Sequence, residues 1–281
     1  MWSRELNQTE RSHEKLLISV TTGLLFVLIC PPGAIGAVIA DNFDVDPQWT
    51  GVNNQNGFNA YGYTNTAVAG GSAGEVGGRF QRRAAESYYA DTSIGGSFNL
   101  GAALFASGKF DSTNTAGMNN SVAVGHLSAA AGDRSVIGLG IFESNVNLAT
   151  MIRVLPYVVL ADGTGLFGTI TNIPNNTASW FSYAYDPNAG VNSQGRLSLT
   201  VTNALGTTYS LLLDLTAADR AIGGNFDSWG MYAGPINDTA EFGEVYIDDV
   251  LYAAAEPEPT TVALLVTGGG VLLLRRRMRT G

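Results

Sequence analysis

From Asp41 to Ala255 the chain contains no cysteine; the one cysteine of the sequence, Cys30, lies in front of this stretch. Disulfides, thiol catalysis and cysteine metal sites are therefore excluded from this body. It holds one histidine, His126, too few for a histidine-built zinc site. The one Gly-x-Ser-x-Gly string, Gly70-Gly71-Ser72-Ala73-Gly74, falls inside a Gly/Ala-rich loop and not at a strand-to-helix elbow, and no glycine loop is followed by the lysine that a phosphate site needs. Positive charge is scarce as well. The body carries eight basic and 19 acidic residues, a formal net charge of −11. Such a surface repels nucleic-acid phosphates, so no nucleic-acid partner is expected. Charged residues make up only 14% of the chain, and Asn, Ser, Thr and Gly carry its polarity instead.

Both ends differ from this body. Residues 1–15 are polar and include Arg4, Arg11 and Lys15; Leu16 to Ile29 is apolar; Pro31-Pro32-Gly33 interrupts it, and small residues follow through Ala40. This is the layout of a secretory signal peptide over residues 1–40, with cleavage after Ala37 or Ala40. Ile29 before Cys30 excludes a lipobox. The other end reads Glu256-Pro257-Glu258-Pro259-Thr260-Thr261, an apolar stretch to Leu274, then Arg275-Arg276-Arg277-Met278-Arg279. The prolines disfavour helix before them and leave the hinge extended. The arginines would stay cytoplasmic. Thr260 to Leu274 spans about 22 Å as a helix against the roughly 30 Å of a bilayer core, a marginal anchor. Residues 256–281 resemble the PEP-CTERM sorting signal of Gram-negative bacteria. Pro257, Glu258, Pro259, Arg275, Arg276 and Arg277 carry the likeness. It implies transient inner-membrane insertion, an exosortase-type membrane protease as partner, and display at the cell surface or release outside the cell.

Between the ends, residues 41–255 suffice for one sizeable core. Alternation marks strands at 121–127 and 196–202, and continuous apolar runs mark central strands at 136–142 and 151–160. Turn signals separate them at 161–165, 173–176, 186–190 and 203–206. Asn53 to Gly57 and the Gly/Ala-rich stretch from Val68 to Gly78 read as loops. Gln81 to Glu86 and Thr216 to Ala221 each have room for a helical turn. Many short strands in one domain predict an all-β, antiparallel sandwich of jelly-roll type. Asp41-Asn42-Phe43-Asp44, Trp180-Phe181-Ser182-Tyr183-Ala184-Tyr185-Asp186-Pro187, Asp227-Ser228-Trp229-Gly230-Met231 and Glu244-Val245-Tyr246-Ile247-Asp248-Asp249 follow the order of concanavalin A-like lectin/glucanase (laminin-G-like) domains, which this body resembles. The resemblance implies that the first and last strands pair. It does not fix a function, because the fold hosts lectins, hydrolases, lyases and spacers.

Chemistry is sparse. Glycoside hydrolysis needs two carboxylates about 5–10 Å apart, and the laminarinase-type Glu-x-Asp-x-x-Glu string is absent. Glu244 and Asp248 would share a strand face about 13 Å apart, too far for partnership. His126 reads as a half-exposed strand residue. No catalytic residue is assigned. Asp41 and Asp44 at the start and Asp248 and Asp249 at the end would crowd if the terminal strands pair; Ca²⁺ with its oxygen ligands would relieve the repulsion, the alternative being a solvated acidic edge. Trp180, Tyr183 and Tyr185 beside the Asp186-Pro187 turn, with Tyr61 and Tyr63, are the candidates for stacking on sugar. The sequence thus reads as an exported, non-catalytic matrix or surface protein with affinity for extracellular polysaccharide. The alternatives are a glycan-active enzyme on the same fold and a purely structural matrix protein.

Overall fold

The computed structural model describes residues 37–81, 85–114, 122–143, 150–234 and 242–253. The leader through residue 36 and the whole of the sorting tail lie outside the described residues. Among the described residues, no helix is long and apolar enough to cross a membrane.

Two eight-stranded antiparallel sheets face each other. The first contains β1 (Val38–Asp41), β3 (Ala60–Thr64), β4 (Glu75–Phe80), β7 (Leu104–Asn114), β13 (Ser179–Asp186), β14 (Arg196–Thr202), β15 (Thr208–Asp214) and β18 (Gly243–Ala253). Their order is β15-β14-β13-β7-β18-β4-β3, with β1 also on β18. The second contains β2 (Thr50–Val52), β5 (Ser87–Asp91), β8 (Val122–Leu127), β9 (Val136–Glu143), β10 (Met151–Val159), β11 (Gly165–Phe167), β12 (Thr171–Pro174) and β17 (Ser228–Ala233). Their order is β11-β10-β9-β8-β17-β5-β2, with β12 also on β10. A small ribbon joins β6 (Phe98–Asn99) to β16 (Asn225–Phe226). The one α-helix among the described residues, α1 (Ala217–Ile222), starts on a capping box between Thr216 and Asp219.

The sequence pattern dictates the layers. In β14 Leu197, Leu199 and Val201 are buried while the residues between them are half-exposed, the period-2 signature of a sheet with one wet face. The inner faces meet in one core that includes Phe80, Phe110, Phe181, Leu199, Trp229 and Ile247. A smaller apolar cluster of Tyr88, Leu127, Val136 and Tyr232 lies on the outer face of the second sheet, where Ala129 packs on it and accepts a hydrogen bond from the Tyr88 hydroxyl. The stretch from Val68 to Gly78 corrects the loop expectation: its last four residues, from Glu75, belong to β4, a strand between β18 and β3. Gly77 and Gly78 hid it, because strands rarely use glycine.

The terminal strands do pair, from Val38↔Ala253 to Asp41↔Val250. Ile39 packs against the core. A chain beginning at Asp41 loses three of the four β1 residues, whereas one beginning at Val38 keeps the strand. The shorter chain is expected to be less stable by about 2 kcal/mol, from its lost ladder bonds and half-buried isoleucine. Chemical denaturation of the two forms checks this.

Candidate functional site

β18 is the strand that organises the outer face of the first sheet. Val245 and Ile247 point into the core, so Glu244, Tyr246 and Asp248 belong to the opposite face. Gly77 of β4 stands directly across from Tyr246. A β-carbon at Gly77 would sit 2.6 Å from the Tyr246 ring atom Cδ1. One edge of the tyrosine ring therefore occupies the space that a side chain at position 77 would need. Gly62 of β3 continues the bare strip beyond Gly77. The result is an open groove of about 550 Å³, lined by Gln55, Gly62, Thr64, Gly77, Arg79, Glu244 and Tyr246 among others.

The polar groups around this groove are fixed in place. Arg79 donates from Nε to the Phe58 carbonyl (3.0 Å) and from Nη2 to the Gly57 carbonyl (2.7 Å), and its guanidinium sits 5.6 Å from the Phe242 ring centre. Glu244 accepts a 2.7 Å bond from the Thr113 hydroxyl. Gln55 donates to the Tyr61 carbonyl at 2.8 Å. On the neighbouring stretch of the face, the segment between β3 and β4 folds back onto the sheet. Glu75 is fully buried there and accepts from the Thr66 hydroxyl and from the main-chain N–H groups of Val68 and Ala69. Gly70 lies against the carboxylate of Asp248, where no side chain would fit.

Of the predicted sugar-stacking residues, only Trp180 presents its ring openly; it is 48% exposed on the outer face of β13. Tyr183 and Tyr185 are two and one per cent exposed and belong to the core. The reason is strand arithmetic: Trp180 is an odd number of residues from both, so it faces the other way. Tyr61 is likewise buried, its ring stacked on Phe80 at 3.8 Å. Tyr63 is half-buried against the core at the groove edge. Tyr246 and Arg79 were missed, although the alternation through Val245 and Ile247 already sets Tyr246 beside Glu244.

The β1–β18 pairing does not gather the four carboxylates proposed for Ca²⁺ into a ligand set. Asp41 accepts from the Phe43 N–H, and Asp44 from the Asn42 side chain. Asp249, on a bulge at positive φ, pairs with Lys109 at 2.5 Å. Asp248 is buried and accepts from the Asp249 N–H. Among the described residues, no group of three or more His, Cys, Asp or Glu side chains is placed to hold a metal ion.

His126 is fully buried, not half-exposed. Its Nε2 lies 2.9 Å from the Ala253 carbonyl, which only accepts, so Nε2 carries the proton. Nδ1 then accepts from the Tyr183 hydroxyl at 2.7 Å. That hydroxyl accepts in turn from Trp229 Nε1 and from the His126 main-chain N–H, both at 3.2 Å. A second link runs from the Tyr252 hydroxyl to Asp91 at 2.7 Å, with Trp229 stacked on Tyr252 at 4.3 Å. These contacts fasten the first sheet (β13, β18) to the second (β5, β8, β17) through the core. They are structural: no solvent reaches His126.

Burial sets the titration of these groups. It lowers His126 to about 4. It raises Asp111 to about 6, against main-chain donors from Ser112 and Thr177. It raises Asp248 to about 6 as well, with Asp249 and Glu75 adding repulsion and Lys109 and a main-chain N–H opposing. The signs differ. His126 resists a proton that the unfolded chain accepts, so its contribution is lost as pH falls from about 6.5 toward 4. The two aspartates hold a proton that the unfolded chain has released, so they stabilise the fold as pH falls from about 6 toward 4. Asp111→Asn with Asp248→Asn should remove the compensation. The double variant should lose thermal midpoint on acidification from pH 6.5 to 4.5 more steeply than the parent, by calorimetry at a series of pH values.

No family model matches the chain, and no curated protein matches it. Its fold is similar to that of solved plant lectins and lyases. The alginate lyase from Aplysia kurodai shares 8% identity at a TM-score of 0.47, over 79% of this chain and 100% of that one. Lectin I-B4 from Griffonia simplicifolia, in a metal-free form, shares 8% identity at a TM-score of 0.45, over 78% and 100%. Peanut lectin shares 10% identity at 0.42, over 77% and 96%. At these identities the likeness assigns neither ligand nor reaction to this chain.

Proposed function

We propose that this protein is a non-catalytic glycan-binding sandwich that works outside the cell. The observation that carries the reading is the half-exposed Tyr246 ring beside Gly77 in the groove, with polar groups pinned around it. An aromatic face stacks on the apolar face of a sugar ring, and fixed donors and acceptors at its rim read the hydroxyls. Gln55, Arg79 and Glu244 supply those groups.

Catalysis fits the groove less well. Glu244 is the one carboxylate among its lining residues, so the pair that glycoside hydrolysis requires is missing. Elimination would need a base. Tyr246 has its pKa raised by burial, then by the carboxylates of Glu244 and Glu75, which keeps it protonated at neutral pH.

Export is proposed from the sequence: a leader layout, a cysteine-free body and a tail like an exosortase sorting signal. Cleavage after Ala37 would leave β1 whole, whereas cleavage after Ala40 would remove most of it. The function is tested by incubating purified protein with a panel of soluble polysaccharides and following intrinsic fluorescence and reducing ends together. Saturable fluorescence change with no new reducing ends is expected. Release of new ends would turn the reading to an enzyme, and no response to any glycan would leave a structural matrix role.

A further inference from the structure

We infer that the ligand of this face is a neutral polysaccharide chain, held in extended form from the Tyr246 groove across to Trp180, and that acidic glycans are excluded. This rests on the glycan-binding reading and adds its length and charge class.

The geometry gives the length. Tyr246 stands opposite Asp111 of β7, and Trp180 of β13 stands opposite Lys109 of β7. All belong to the outer face of one sheet. Trp180 is two strands from Tyr246 and two residues along, hence about 10 Å across and about 7 Å along the strands. No core contact requires a half-exposed tryptophan there, since Phe181 and Tyr183 already fill the inner side of β13. The β7 groups between the two rings do not stand free: Lys109 is tied to Asp249, and Asp111 is buried. The small side chains of Ser107 and Ser182, a cross-strand pair, border the same path. Two aromatic faces on one sheet, with pinned or short groups between them, suit a chain that lies across strands better than a single terminal sugar.

The charge gives the class. This part of the face carries two cations, Arg79 and Lys109, and five carboxylates, of which Glu244 and Asp249 are accessible and Glu75, Asp111 and Asp248 are buried beneath the surface. Lys109 is paired with Asp249, and Arg79, held by main-chain carbonyls that leave its charge intact, stands directly across from Glu244. Neither is placed to neutralise an incoming uronate. A uronate polymer would bring its own row of negative charge against them, at a cost that low salt enlarges. Neutral hydroxyls meet no such penalty, and carboxylates are good acceptors for them.

The test is affinity electrophoresis of the purified protein through gels containing laminarin, galactomannan or dextran, and through gels containing alginate or polygalacturonate. At least one neutral polymer should retard the protein at neutral pH, and neither uronate should. Trp180→Ala should weaken binding to that polymer about tenfold, Trp180→Phe should restore most of it, and binding of the corresponding disaccharide, by calorimetry, should be unchanged by either. Retardation by the uronates alone, or a Trp180→Ala protein that binds polymer like the parent, overturns the inference and leaves the groove reading standing. Retardation by no polymer overturns both. Trp180 is on the surface, so its variants should keep the fold, which circular dichroism checks.

Discussion

Replacing Tyr183 by phenylalanine should destabilise the protein by about 3–5 kcal/mol, although only one oxygen is removed. The ring and its packing remain. The hydroxyl, however, is the meeting point of three partners: it donates to His126 Nδ1 and accepts from Trp229 Nε1 and the His126 main-chain N–H. Its loss leaves them unpaired beside a fully buried imidazole, where no water replaces the bond. For a domain of this size the thermal midpoint should fall by roughly 10 °C. His126→Phe in the Tyr183→Phe background should recover part of the loss, because removing both ends of a buried polar contact costs less than orphaning one. A midpoint within two degrees of the parent for the single variant would show that the sheets are not clamped by this hub.

The second large effect is on binding. Tyr246→Ala removes the aromatic face but leaves Val245 and Ile247 in the core and the β4–β18 ladder in place. Stability should change by less than 1 kcal/mol, because the ring lies on the outer face. Glycan affinity should fall by at least a factor of ten, and Tyr246→Phe should keep most of it, since stacking needs the ring and not the hydroxyl. Gly77→Val should do what Tyr246→Ala does and also lose stability. Its side chain must enter space held by the Tyr246 ring and by the main chain at Val245 and Tyr246. Titration calorimetry with the neutral polymer, beside melting curves for all three variants, separates loss of binding from loss of fold.

The sandwich was legible in the sequence wherever a strand has one dry and one wet face. The strand read at 196–202 has the same bounds as β14, and the pairing of the terminal strands followed from the likeness of the two ends to concanavalin A-like domains. The helical turn read at Thr216 to Ala221 is α1, and the structure adds its capping box between Thr216 and Asp219. Legibility failed where the residues that make the site are the ones that blur a pattern. Gly77 weakens the strand signal of β4 and also leaves the space that the Tyr246 ring edge occupies. Trp180, Tyr183 and Tyr185 look like one aromatic group along the chain, yet the pleat sends one outward and two into the core. Nothing in the local sequence of His126 announces that its partners come from β13 and β18. The terminal strands pair, but counting carboxylates does not reveal that Lys109, Asn42 and main-chain N–H groups hold the acidic side chains separately.

The central claim is a place: glycan binds the outer face of the first sheet, across β4, β18, β7 and β13. Amide hydrogen exchange of the protein with and without the neutral polymer that retards it most tests this directly. Bound glycan should slow exchange in peptides covering residues 75–80, 105–113, 179–184 and 243–249, and leave 122–127, 136–142 and 151–159 unchanged. Protection confined to those last three segments, which form β8, β9 and β10 of the second sheet, would contradict the account.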